Sequence, residues 1–230
     1  MKWDASKWSI RLLYLLLATD SVLIILHLIY VHTNFPFINI RGKFSIEIDG
    51  GYGELFQYLK EFWIALLLGF LAVEKRCLIY LSWSLLFVYI LLDDSLMIHE
   101  RLGSFISDKL AFSDVFNLRG ADFGELILSA VVGLFFMVFI ATAYRFSNRK
   151  SRDISRYLII MLFALALFGI ATDMIHIAVK SSPLESLLAV VEDGGEMLVM
   201  SVITSFVFLL PENSYPKVSL LEEKQLSRLS

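Results

Sequence analysis

Cysteine occurs once in these 230 residues, at Cys77. That excludes an intramolecular disulfide and any cysteine-rich metal site. Charge is also scarce: 19% of the residues are Asp, Glu, Lys or Arg, where a soluble domain carries about 25%. The net charge of -3 gives no reason to expect a nucleic-acid partner. No internal repeat is visible. None of the long apolar stretches alternates with period two, so membrane-spanning strands are disfavoured and helices preferred.

Apolar residues are what the chain has instead. They make up 57% of it, and the mean hydropathy is +0.70. Six stretches approach the roughly 20 residues needed to cross a bilayer. They cover about 10–31, 54–73, 77–98, 123–146, 157–179 and 184–210. The first is too long for a signal-peptide core and is read as a retained span. The sequence therefore predicts an all-α integral membrane protein. Its transmembrane domain is a six-helix bundle over 1–211, followed by a cytoplasmic tail at 212–230. Alternating residues at 37–48 with Arg41-Gly42 as the turn predict a small extracytoplasmic β-hairpin, followed by a glycine-rich link at 49–53. Between spans three and four, Leu102, Phe105, Ile106 and Leu110 are spaced for a short amphipathic helix at the interface.

Lysine and arginine set the expected orientation. Thirteen fall on the side of the termini and seven on the other. The positive-inside rule then puts both termini in the cytoplasm, of a bacterial inner membrane on this reading. The cluster Arg145–Arg156 suits anionic lipid headgroups. The tail and this basic inner face together offer a docking surface for a cytosolic partner.

The polar residues sit at particular ends of the spans. Glu54, Gln57 and Glu61 open span two, and Asp93, Asp94, Ser95, His99 and Glu100 close span three. Asp122 and Glu125 open span four, Asp173 and His176 close span five, and Glu192, Asp193 and Glu196 open span six. Spans that alternate in direction carry all five groups to the outer side. Steps of three, four and seven residues place several of them on common helix faces. Ionised acids facing lipid would each cost about 2.5–3.5 kcal/mol or more. They are therefore expected to face inward and share protons, cations or water.

Three readings follow. Asp93, Asp94, His99, Glu100, Glu125, Asp173, His176, Glu192 and Glu196 could hold a divalent metal, with zinc, iron, manganese or calcium all compatible with such ligands. Asp173-x-x-His176 matches the carboxylate-x-x-His step of di-metal helical bundles, with Asp in place of Glu. A metal-bound water would support hydrolysis. Alternatively, acidic rings could conduct cations in a channel-like homo-oligomer. In the third reading the acids pair with Lys60, Arg101, Arg119 and Lys180 in a rigid plug, and the protein is a non-enzymatic sensor. Asp20, alone in mid-span, is expected either to bond to a serine or threonine on a neighbour or to face another subunit. His27 and His32 end span one on the outer side. The Gly194-Gly195 pair permits close helix packing.

The layout of His99, His176, Asp93 or Asp173, and Ser95 is similar in outline to the membrane hydrolase superfamily of alkaline ceramidases and adiponectin receptors. That resemblance implies a zinc ion held among helices. The superfamily's paired-histidine motif on its last helix is absent here, where Glu192, Asp193 and Glu196 stand instead, and the span count differs.

Overall fold

The computed structural model describes residues 5–32, 42–113, 119–172, 175 and 185–210, and the regular structure among them is entirely helical. In chain order the helices are α1 (Ala5–His32), α2 (Tyr52–Lys75), α3 (Leu78–Leu96), α4 (Ile98–Leu110), α5 (Gly120–Arg145), α6 (Arg149–Ala166) and α7 (Glu185–Phe208). Helix α6 runs on into a π-helical turn, Leu167–Ala171.

Five of these helices are long and apolar enough to cross a membrane: α1, α2, α3, α5, and α6 with its π-turn. Helix α7, with Glu192, Asp193 and Glu196 in its first half, is not among them. Large apolar side chains cover the outside of the bundle, and Phe70, Val73, Phe135 and Phe163 are each more than half exposed. A belt of this extent fits lipid as the solvent. The protein is a helical membrane protein.

Helices α2 and α3 form an antiparallel pair. Their turn is made by Arg76, which has φ 47° and whose backbone N–H bonds to the Ala72 carbonyl. Ile64, Leu68 and Leu71 of α2 pack with Ile79, Trp83 and Phe87 of α3, and Met200, Ile203 and Val207 of α7 close this core. Polar groups inside it are paired, as burial requires. Trp83 Nε1 donates to Ser155 Oγ at 3.0 Å, and Ser84 Oγ donates to the Ala65 carbonyl at 2.8 Å. Near the α2–α3 turn, Cys77 Sγ lies 3.7 Å from Ser147 Oγ, beside the α5–α6 connection. The basic residues Lys75, Arg76, Arg145, Arg149 and Arg152 thus share one end of the bundle. Cys77 is half-buried there as a small packing residue.

Two expectations change. Among the described residues there is no strand, and Gly42–Gly51 is a chain of turns rather than half of a hairpin. Gly42 and Gly50, both at φ 70°, curl the backbone. Bonds from Ser45 N to Gly42 O and from Gly51 N to Ile48 O, at 2.7 and 2.9 Å, consume locally the groups that a strand ladder would need. Residues 37–41 of the expected hairpin lie outside the described residues. The third span also stops earlier than expected. Met97, at φ 52°, turns the chain after Leu96 and starts α4. That helix is the expected amphipathic one: Leu102 and Phe105 face outward while Gly103 and Ser107 pack on α5.

The α4–α5 crossing is close enough to depend on two glycines. A Cβ on Gly103 would stand 2.7 Å from the Glu125 amide nitrogen, and one on Gly124 would run into the Gly103 carbonyl. This contact brings the start of α5 against α4, and with it Glu125 near His99. The fifth span also differs in detail. Helix α6 begins at Arg149 because the Asn148 side chain accepts from Ser151 N at 2.9 Å, capping the helix several residues before the apolar run. The expected tail at 212–230 lies outside the described residues.

Candidate functional site

At the end of the bundle opposite the basic cluster, a cavity of about 650 Å³ opens between the helices. The turns at 42–51 contribute Glu47 and Asp49 to its wall. Helix α2 contributes Glu54, Gln57 and Glu61, α3 contributes Asp93 and Asp94, and α4 contributes His99 and Glu100. Helix α5 adds Glu125, and α7 adds Glu192, Asp193 and Glu196. Among the described residues, eleven carboxylates therefore line one chamber, against Arg119 and His99 as cationic side chains. Ile90, Leu126, Leu162, Leu165 and Ile170 complete the wall as apolar surface.

The sequence-predicted site residues Asp93, Asp94, His99, Glu100, Glu125, Glu192 and Glu196 all line this chamber. Asp173 and His176 lie outside the described residues. Glu61, Gln57, Asp193, Glu47 and Asp49 also belong to the chamber but were not among the predicted ligands. For Gln57 and Glu61 the signal was their four-residue step, which puts both on one face of α2. For Glu47 the expectation of a hairpin concealed it, and Asp49 falls in the expected glycine-rich link.

These acids differ in what already holds them. Glu54 accepts from the Gly50 amide and the Tyr58 hydroxyl, so it fastens the loop to α2. Asp93 Oδ1 accepts from the His99 amide at 2.8 Å, satisfying one of the unpaired donors at the start of α4. Its other oxygen lies 3.4 Å from His99 Nδ1. That hydrogen bond outweighs burial and pushes the imidazole pKa up to about 9. One ligand atom from each of Asp93, Asp94 and His99 can be chosen so that all lie within 4.8 Å of one another, close enough to surround a metal ion.

Other expected participants have different jobs. Ser95 Oγ donates to the Leu91 carbonyl at 2.6 Å on an exposed face, as an ordinary helix serine. Asp122 accepts from the Arg119 amide at 2.7 Å and from its guanidinium, and so caps α5. His27 is fully buried behind the loop. Its Nδ1 takes the Ile46 N–H at 3.4 Å, and its Nε2 stands 3.6 Å from Glu47. His32 bonds to the Leu28 carbonyl at 3.0 Å.

Lys60 departs furthest from its expected place among the outer bases. It is fully buried, with Nζ 3.1 Å from Asp20 Oδ1 and 2.8 Å from the Met197 carbonyl. Ser201 Oγ donates to Asp20 Oδ2 at 2.5 Å. Of the two alternatives for Asp20, the structure shows the serine partner, on α7, and a lysine joins it. This triad ties α1, α2 and α7 together behind the chamber wall.

The family described as Domain of unknown function (DUF8692) matches residues 13–210. The chain belongs to this family. The match runs from α1 through the end of α7, so the helices that build the chamber are all within it. Comparison with curated proteins and with solved structures found no match.

Proposed function

We propose that this DUF8692 protein binds a divalent metal ion in its acidic chamber, through Asp93, Asp94 and His99. The observation that carries the reading is the meeting of these three groups within 4.8 Å in a cavity where carboxylates far outnumber cations. Two carboxylates and an imidazole suit zinc, manganese or iron. Metal entry would displace the proton that Asp93 otherwise holds on His99, since only neutral imidazole ligates. Glu125 and Glu100 stand next to this centre. With a water at its open position, such a metal would supply hydrolytic chemistry. The apolar wall of Leu126, Leu162 and Ile170 would accept the hydrocarbon part of a lipid-like substrate.

In this reading α7 is the sixth span, both termini are cytoplasmic and the chamber opens outward. The skewed distribution of basic residues supports that orientation. The basic end then meets anionic headgroups and any cytosolic partner.

Elemental analysis of detergent-purified protein tests the metal. Wild type should retain stoichiometric divalent metal, and His99→Ala and Asp94→Asn should each lose the ion held at this centre while keeping their helical content. Wild type free of metal, and unable to take it up from zinc or manganese solutions, would overturn the proposal.

A further inference from the structure

One side of the chamber is left chemically incomplete. Glu61 lies in its wall with no exposure, and neither of its carboxyl oxygens has a hydrogen-bond partner. One helical turn earlier, Gln57 Oε1 is also buried and without a partner. These are three acceptor oxygens on one face of α2 with no donor supplied to them. Asp94 stands close enough for its carboxyl and that of Glu61 to act on each other directly. Ionised, the two groups bring only lone pairs to each other, so either a shared proton or a cation must join them. The neighbouring basic residue cannot help, because Lys60 is committed to Asp20, Met197 and Ser201. Leaving a buried acceptor unsatisfied costs about 1–3 kcal/mol, and more for a charged one. What fits this gap is a group that accepts several lone pairs at once.

We infer that Gln57, Glu61 and Asp94 form a second, all-oxygen site for a hard divalent cation. Asp94 is shared between it and the His99 centre, so that its carboxylate bridges two ions. The inference rests on the metal reading above for the first ion only. The second site stands on the unpartnered oxygens of Gln57 and Glu61. Carboxylate and amide oxygens without imidazole or thiolate select cations such as calcium, magnesium or manganese. A pair of ions bridged by a carboxylate lies about 3.5–4 Å apart, the spacing at which two metals can hold one attacking and one leaving oxygen.

Manganese alone is the probe, added to metal-free, full-length protein in detergent. Equilibrium dialysis should count two ions per chain, and the electron paramagnetic resonance spectrum should show spin-coupled manganese. Glu61→Gln keeps the side chain's shape and removes its charge. It should drop the count to one and leave an uncoupled signal, while His99→Ala should also drop the count to one by emptying the other position. A wild-type count of one that vanishes in His99→Ala and is unchanged in Glu61→Gln overturns this inference and leaves the first reading standing. A count of one that survives His99→Ala and is lost in Glu61→Gln does the reverse. No bound manganese overturns both. The wild-type count needs no variant to fold. An infrared band from a protonated carboxyl that persists in saturating manganese and disappears in Glu61→Gln would also overturn the inference, by showing that a proton fills the gap.

Discussion

Lys60 and Asp20 hold each other where neither meets water, and each is costly without the other. Taking one charge from a buried pair typically costs about 3–5 kcal/mol, because the remaining charge is left uncompensated. Lys60→Met should lower stability by about that amount in equilibrium unfolding from mixed micelles, whereas Lys60→Met combined with Asp20→Leu should recover most of it. A different dependence belongs to His99. Its hydrogen bond to Asp93 raises the imidazole pKa from 6.5 to about 9, so folding strengthens proton binding. The resulting stabilisation is complete below about pH 6.5 and is lost as pH rises through about 9. Melting temperatures of metal-free protein should therefore fall between pH 7 and pH 10, and His99→Gln should flatten that decline. Neither pairing could be read from composition. Asp20 and Lys60 are forty residues apart, and a one-position rotation of α2 decides whether Lys60 or Glu61 faces the chamber.

Among the elements, α4 depends most on a close contact. It reaches α5 only because Gly103 and Gly124 present no side chains where the two backbones meet. Overpacking a well-fitted contact costs about 1–3 kcal/mol, and here the obstacle is rigid backbone. Gly124→Leu should push α4 away from α5, separate His99 from Glu125, and reduce metal retention even though no ligand is altered. Retention equal to wild type, measured beside a lowered melting temperature, would show that the crossing does not position the chamber. The helices were legible in the sequence wherever apolar runs exceeded the bilayer thickness, and α4 was legible from the spacing of Leu102, Phe105 and Leu110. The loop at 42–51 was misread because its alternation of apolar and polar residues comes from turns. Ile46 turns inward against Gly53, and Ser45 turns inward beside His27. Alternation alone does not distinguish such a wrap from a strand pair.

At the scale of the whole molecule, the gathering of acids at one end followed from direction alone. Helices that reverse at each connection must return the polar end of every span to the same side, whatever the details of packing. What direction could not give was depth. The chamber reaches Glu61, and beyond it the interior is filled by Ile64, Leu68, Phe87, Met200 and Ile203. The buried salt bridge seals the flank beside α1 and α7. Among the described residues, that packing stands between the chamber and the basic end. On the proposed metal reading, an ion held in the chamber would exchange at the chamber's own end of the bundle, away from the basic cluster.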